Sequence, residues 1–180
     1  MYVQQVNDNL LIRMLKVSEK TELFALIDQN RTFLQRWLAW VHQNKSVKDS
    51  EQFIKHSFES YANRESLTAG IFYKDTLAGV IGFNSLDFMN KIGTIGYWMG
   101  EEFEGKGIMT ESVRALIKHG FENLQLNRLQ LFAAVENYPS RAIAERLQFT
   151  NEGVMRENEW VNGKPIDQVL YSLLRREWNK

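Results

Sequence analysis

Apolar positions recur along this chain at two periods, and the point where one gives way to the other divides it. "LLIRMLK", Leu10 to Lys16, is a short apolar run that predicts a strand. "SEKTELFALIDQN" then carries Leu23, Leu26 and Ile27 at helical spacing, with Ser18 as the N-cap. "RTFLQRWLAWVHQ" places Phe33, Leu34, Trp37, Leu38 and Val41 on one helical face, with Trp40 near its edge, and predicts a second helix. "KDSEQFIKHSFESYANR" predicts a third, with Phe53, Ile54 and Phe58 inward.

From Leu67 the pattern changes to strand formers. "LTAGIFYKDTLAGVIGFNSLDFMNKIGTIGYWMG" is broken only at "KDT" and "MNK". Connections this short join antiparallel neighbours, so three strands lie in a meander whose last member ends near Met99. A helix follows, with Met109, Val113, Leu116, Ile117, Gly120 and Phe121 as its inward stripe. "RLQLFAAV" (Arg128 to Val135) predicts a strand, and "NYPSRAIAERLQF" a turn and short helix with Pro139 in the first turn. "NEGVMRENEWV" and "PIDQVLYSLL" flank "NGK", where Asn162-Gly163 suits a tight hairpin turn. The expected architecture is α/β, with helices flanking a mixed, largely antiparallel sheet.

Length and charge narrow the function classes. The 180 residues fit a single domain spanning 1–180, with a substantial core. Lys plus Arg and Asp plus Glu both total 22, so no whole-surface field draws the chain to nucleic acid or to an anionic membrane. The absence of cysteine excludes disulfides, thiolate nucleophiles and zinc–cysteine sites, and fits a cytoplasmic location. No run is apolar enough for a signal peptide or a membrane span.

The chemistry concentrates in "GEEFEGKGIMTES", Gly100 to Ser112. Gly100, Gly105 and Lys106 have the spacing of a phosphate-binding P-loop, but Gly107 stands where Ser or Thr must hold magnesium. The short turns upstream also conflict with the mainly parallel sheet of a P-loop enzyme. Glu101, Glu102 and Glu104 would crowd a triphosphate with no metal to offset them. Two readings of the glycines remain. They shape a turn and end a helix, or they let a metal-free diphosphate reach unpaired amides carrying roughly half a positive charge, with Lys106 as an added cation. Coenzyme A is such a diphosphate.

"NRTFLQRWLAW", "IGYWMGEEFEGKGIMTES", "VENYPSRAIAERLQFTNEGVMRE" and "EWVNG", in this order and spacing, resemble the GNAT superfamily of acetyl-CoA-dependent N-acetyltransferases, and most closely its RimJ/RimL branch. The resemblance covers nearly the whole chain. It departs at Glu102, where the superfamily has Gln or Arg. It departs again at Leu147-Gln148-Phe149 in place of Leu-Gly-Phe, which is expected to alter a turn and leave the chemistry intact. The resemblance implies the GNAT acyl-CoA N-acyltransferase fold, with acetyl-CoA as co-substrate and no metal. The strands ending at Met99 and Val135 would splay apart to admit the pantetheine arm. Trp98 and Met99 would contact the cofactor along the strand edge. The pyrophosphate would rest on Glu104, Gly105, Lys106, Gly107, Ile108 and Met109, and Asn137 would contact the pantetheine arm.

The same resemblance makes Glu159 the base that frees the acceptor amine, and Ser140 the group that hydrogen-bonds or protonates the leaving thiolate. Glu157 would share the Glu159 face of a regular strand and is the alternative base. Ser140 and Asn137 fit equally well as helix-capping or turn residues. Tyr97 and Tyr138 are alternative acids. Trp37 and Trp40 fit either the core or the acceptor side of the cleft, and His119 is expected to be solvated. The implied acceptor is a protein N-terminal α-amine, plausibly of a ribosomal protein. Baring such an amine at pH 7 costs roughly 1 kcal/mol, against roughly 4 to 5 kcal/mol for a lysine. A small amine such as an aminoglycoside or polyamine, or a non-catalytic acyl-CoA-binding module, are the alternatives. The resemblance also implies a homodimer.

Overall fold

The computed structural model describes residues 2–178. The chain opens on a hairpin of β1 (Val3–Asn7) and β2 (Leu10–Arg13). Helices α1 (Lys20–Gln29), α2 (Arg31–Leu34) and α3 (Val47–Ala62) follow. The predicted meander is β3 (Leu67–Tyr73), β4 (Thr76–Asp87) and β5 (Ile92–Met99). Then come α4 (Ile108–Lys118), β6 (Arg128–Ala134), α5 (Tyr138–Arg146), β7 (Thr150–Val161) and β8 (Lys164–Leu174). All eight strands join one sheet, ordered β1-β2-β3-β4-β5-β6-β8-β7. Among the described residues, no helix is long and apolar enough to cross a membrane.

The sheet is antiparallel except at β5–β6, and that exception positions the site. β5 and β6 pair in parallel only from Ile92–Arg128 to Ile95–Leu131. Beyond that, β5 stays with β4 as far as Met99, and β6 stays with β8 as far as Ala134. The two strands are each held by their outer neighbour and separate from one another. The main chain of Gly96 to Met99 is therefore left without a β6 partner. Arg141 of α5 fixes the far side by donating to the carbonyl of Val135 at 2.9 Å.

The turns follow their sequence signals. Lys74 and Asp75 (φ 50° and 63°) and Asn162 and Gly163 (φ 52° and 75°) form left-handed pairs that match strand twist. Successive β3 residues Ile71 and Phe72 point to opposite faces and join different cores. Ile71 packs with Val113, Ile117 and Phe121 of the α4 region; Phe72 packs with Leu23, Ile27 and Ile54 of α1 and α3. The expected inward stripe of α4 is buried throughout.

Several expectations are corrected. The strand predicted over Leu10 to Lys16 ends at Arg13, and β1 was not expected. β1 is an edge strand with no buried face, so it carries no apolar alternation. Ser18 does not cap α1; a 3-10 turn (Val17–Glu19) precedes the helix, and the Glu19 carboxylate accepts from the Lys16 N–H at 2.6 Å. The predicted second helix stops at Leu34, and the chain reaches an extended Leu38 before a 3-10 turn over Ala39–His42. The Arg31 guanidinium holds this break by donating to the carbonyls of Val41 (2.8 Å) and Asn44 (2.9 Å). Phe53 is exposed. His119 is half-buried, its ring 4.6 Å from that of Tyr2, and burial holds its pKa below the usual value. Gln148 keeps the left-handed geometry (φ 63°) that glycine adopts without cost, so the turn survives the substitution.

Candidate active site

Three cavities meet where β5 and β6 part. The first, of about 540 Å³, is walled by the end of β5, the start of α4 and one face of α5. Gly105 and Gly107 form its rim, at φ 73° and 74°. A Cβ added to either would meet nothing within 4 Å, so these glycines serve left-handed backbone and close approach, not packing. The first bond of α4 recorded outside its regular ladder runs from the Glu111 N–H to the Gly107 carbonyl, and no side chain caps the helix. The preceding amides are free to receive an anion. Metal-free diphosphate binding fits this cradle.

Of the expected cofactor residues, Met99, Glu104, Gly105, Gly107, Ile108 and Met109 line this cavity. Lys106 does not; its ammonium donates to the Glu102 carbonyl at 2.7 Å and sits beside the Phe103 ring. Trp98 offers main chain at the open strand edge, while its indole packs against Trp40 at 5.6 Å. The cation on the cavity wall is Arg146, which donates to the Thr110 hydroxyl at 2.8 Å. The sequence reading passed over Arg146. The available signal was helical spacing, since Ala142, Ile143 and Arg146 share the face turned to α4.

The second cavity, about 390 Å³, contains the expected chemistry. Glu159, Ser140, Asn137 and Tyr97 all line it, together with Trp37, Leu38 and Asn84. Asn137 is the N-cap of α5, its side chain accepting from the Ser140 N–H at 3.2 Å. The Ser140 hydroxyl is therefore not engaged in capping and lies 3.0 Å from the Tyr97 hydroxyl. Burial pushes the Tyr97 hydroxyl up to about 12, against a smaller opposing effect from Ser140, so it is a neutral donor at physiological pH. Tyr138 is 63% exposed and stacks with Arg141, away from this chamber.

Glu159 accepts from Gln168 Nε2 at 2.6 Å, and Gln168 in turn accepts from Asn158 at 2.6 Å. Burial raises the Glu159 pKa above the usual carboxylate value. Glu157 does not share its face. Between Met155 and Glu159 the register against β8 slips, and Glu157 sits at φ 53° with its N–H on Asp167. This bulge turns Glu157 onto a separate outer surface. The hairpin tip closes the chamber: Asn162 donates to the Gln35 carbonyl at 2.8 Å, and its Oδ1 lies 2.6 Å from His42 Nε2. Trp37 and Leu38 face the chamber because the second helix breaks, which places Trp37 on the cleft.

The third cavity, about 790 Å³, lies between α3 and β3–β5 and shares Leu38, Asn84, Gly96 and Tyr97 with the second. Trp40, Phe53 and Trp98 are its large aromatic walls. Among the described residues lining these two cavities there is no lysine or arginine. No three His, Asp or Glu side chains gather as a metal site among the described residues.

Comparison with known proteins agrees with this geometry. The acetyltransferase (GNAT) domain model matches residues 9–150. YdaF of Bacillus subtilis (strain 168), a candidate ribosomal N-acetyltransferase, is 42% identical over 99% of this chain and 98% of its own. The structure of RimL, a ribosomal L7/L12 α-N-protein acetyltransferase in complex with coenzyme A, superposes with a TM-score of 0.93 at 30% identity, covering 96% of this chain and 98% of that one. The microcin C7 self-immunity acetyltransferase MccE, in complex with acetyl-CoA and AMP, gives a TM-score of 0.89 at 35% identity over 94% of both chains.

Proposed function

From the premise that this chain belongs to the GNAT acetyltransferase family, we propose that it acetylates the N-terminal α-amine of a ribosomal protein. The observation that carries this reading is one chamber. It sits at the parting of β5 and β6, between a diphosphate cradle and an open groove, and it holds Glu159 opposite the paired hydroxyls of Ser140 and Tyr97. Acetyl-CoA supplies an activated thioester carbonyl. The main-chain edge of Gly96 to Met99 aligns the pantetheine arm, the amides of Gly105 to Met109 hold the pyrophosphate, and Arg146 adds positive charge.

Glu159 takes the proton that the ammonium form of the amine must lose. Its raised pKa narrows the gap to an α-amine and makes it a stronger base than an exposed carboxylate. As the amine nitrogen bonds to the acetyl carbon, the carbon–sulfur bond breaks and the electron pair leaves on sulfur. The Ser140 hydroxyl, oriented by Tyr97, then donates a hydrogen bond to that sulfur. An α-amine suits one carboxylate base because little free energy is needed to deprotonate it near pH 7. An acceptor carrying a phosphate, such as a nucleotide conjugate, finds no basic side chain in the described lining.

Mass spectrometry of peptides with free N-termini, small amines and ribosomal extract, after incubation with isotope-labelled acetyl-CoA, tests the reading. Label on the N-termini of ribosomal peptides is expected. Label confined to small amines, or to lysine side chains, would overturn it. Sedimentation tests the homodimer that the family likeness suggests.

A further inference from the structure

β4 pairs with β5 through a bulge: Phe83 faces Ile95 and Ser85 faces Thr94, leaving Asn84 as the extra residue. The bulge lies at the level where β5 loses β6. It throws the Asn84 amide sideways across β5 onto Gly96. A Cβ built on Gly96 would stand 2.3 Å from both Asn84 Nδ2 and Oδ1, and 2.5 Å from Cγ. Gly96 is therefore the space in which this side chain rests. No described residue hydrogen-bonds the Asn84 side-chain amide, although it has both a donor and an acceptor to offer. Asn84 also lines both the 390 Å³ chamber that contains Glu159 and the 790 Å³ groove beyond it.

We infer that Asn84 is the specificity residue that reads the first peptide group of the acceptor, where the chain passes from the reaction chamber into the groove under α3. The inference rests on the peptide-acceptor reading above and extends it. An acceptor amine placed against Glu159 puts its first peptide group one residue's length away, toward the shared boundary of the two cavities. There the unpartnered amide hydrogen-bonds the peptide N–H or carbonyl and fixes the direction in which the chain leaves. The groove holds the following residues, at a volume within the range of enclosed ligand sites. An amine with no peptide group gains nothing from Asn84.

The test uses the five-residue peptide acetylated fastest in the labelling experiment, and its counterpart with the first peptide bond replaced by an ester. The ester removes the N–H and weakens the carbonyl as an acceptor. Asn84→Ala deletes the amide. Gly96→Ala displaces it, because the obstructing atoms are the end of one flexible side chain. Each variant is expected to lower kcat/KM for the peptide about tenfold, mainly through KM, in line with one neutral hydrogen bond. Coenzyme A affinity by calorimetry reports that the cradle is intact. The ester is expected to cost the wild-type enzyme a similar factor and to cost Asn84→Ala less than about twofold, since both changes remove the same bond. Unchanged peptide kinetics in Asn84→Ala, or a full additional tenfold loss with the ester in that variant, would overturn the inference alone. A wild-type enzyme that acetylates no peptide would remove the peptide-acceptor reading first, and this inference with it.

Discussion

At the scale of single residues, the site separates roles that neighbouring side chains could share. Asn137 caps α5, which leaves the Ser140 hydroxyl to Tyr97 and the chamber. Ser140→Ala is therefore expected to lower kcat while leaving the melting temperature within about 1 °C, since no cap is lost. Asn137→Ala is expected to cost about 1 kcal/mol of stability, a fall of roughly 2–4 °C for a chain of this size. Calorimetric melting beside steady-state rates checks both. Gly107 combines a left-handed φ of 74° with open space toward the cradle. Gly107→Ala strains the backbone by about 1–2 kcal/mol and puts a methyl group where phosphate approaches. Coenzyme A affinity by titration calorimetry is expected to fall at least about tenfold, equivalent to about 1.4 kcal/mol. The two glycines were legible as a phosphate cradle because only their own backbone was at issue. The accompanying cation was not: Lys106 lies next in sequence but folds back onto Glu102, while Arg146 arrives from another helix.

At the scale of elements, periodic segments behaved as their sequences predict, and the exceptions trace to long-range partners. The meander, α4 and the Asn-Gly hairpin needed only local pattern and turn chemistry. The second helix had an adequate apolar stripe, yet Arg31 and Asn162 draw its carbonyls into bonds that a continuous helix would have kept for itself. The β7 bulge likewise separates Glu157 from Glu159, although strict alternation puts them on one face. Gln148 holds a left-handed turn without being glycine. Gln148→Gly is expected to raise stability by about 0.5–1 kcal/mol, read as a melting shift with unchanged turnover. At the outer hairpin, Arg128 grips the Glu152 carboxylate through two bonds of 2.7 and 2.6 Å, and Ser172 adds a third. These contacts lower the Glu152 pKa from 4.5 to about 2. A depressed carboxylate pKa contributes stability above the unfolded value, lost as pH falls through the folded one. Glu152→Gln is thus expected to melt about 2–4 °C lower at pH 7, for an exposed pair worth at most about 1 kcal/mol. The gap should close as pH drops from 4.5 toward 2.

At the scale of the whole molecule, the sheet turns one structural irregularity into a working cleft. β5 and β6 cannot stay paired because each is anchored outward, and cofactor edge, base and acceptor groove all open from that split. Because burial raises the Glu159 pKa, kcat/KM for a peptide is expected to rise with pH through a limb above the usual carboxylate range. Glu159→Gln is expected to lower turnover and abolish that limb. The same shift has an opposite consequence for stability: a carboxyl whose folded pKa is raised costs stability once ionised, so Glu159→Gln should melt no lower than wild type at pH 7 and show no gain at pH 4. Near-normal turnover of the variant across the pH range would remove Glu159 as the base. By itself the sequence determined the order of elements, the antiparallel meander, the inward stripes and the glycine cradle, because these depend on periodicity and on backbone freedom within a few residues. Only the tertiary structure decided which carboxylate faces the cleft, which cation lines it, where the second helix ends and what Asn84 rests upon. Each of those depends on groups distant in sequence, whose meeting is set by the packed sheet and leaves no local trace in the chain.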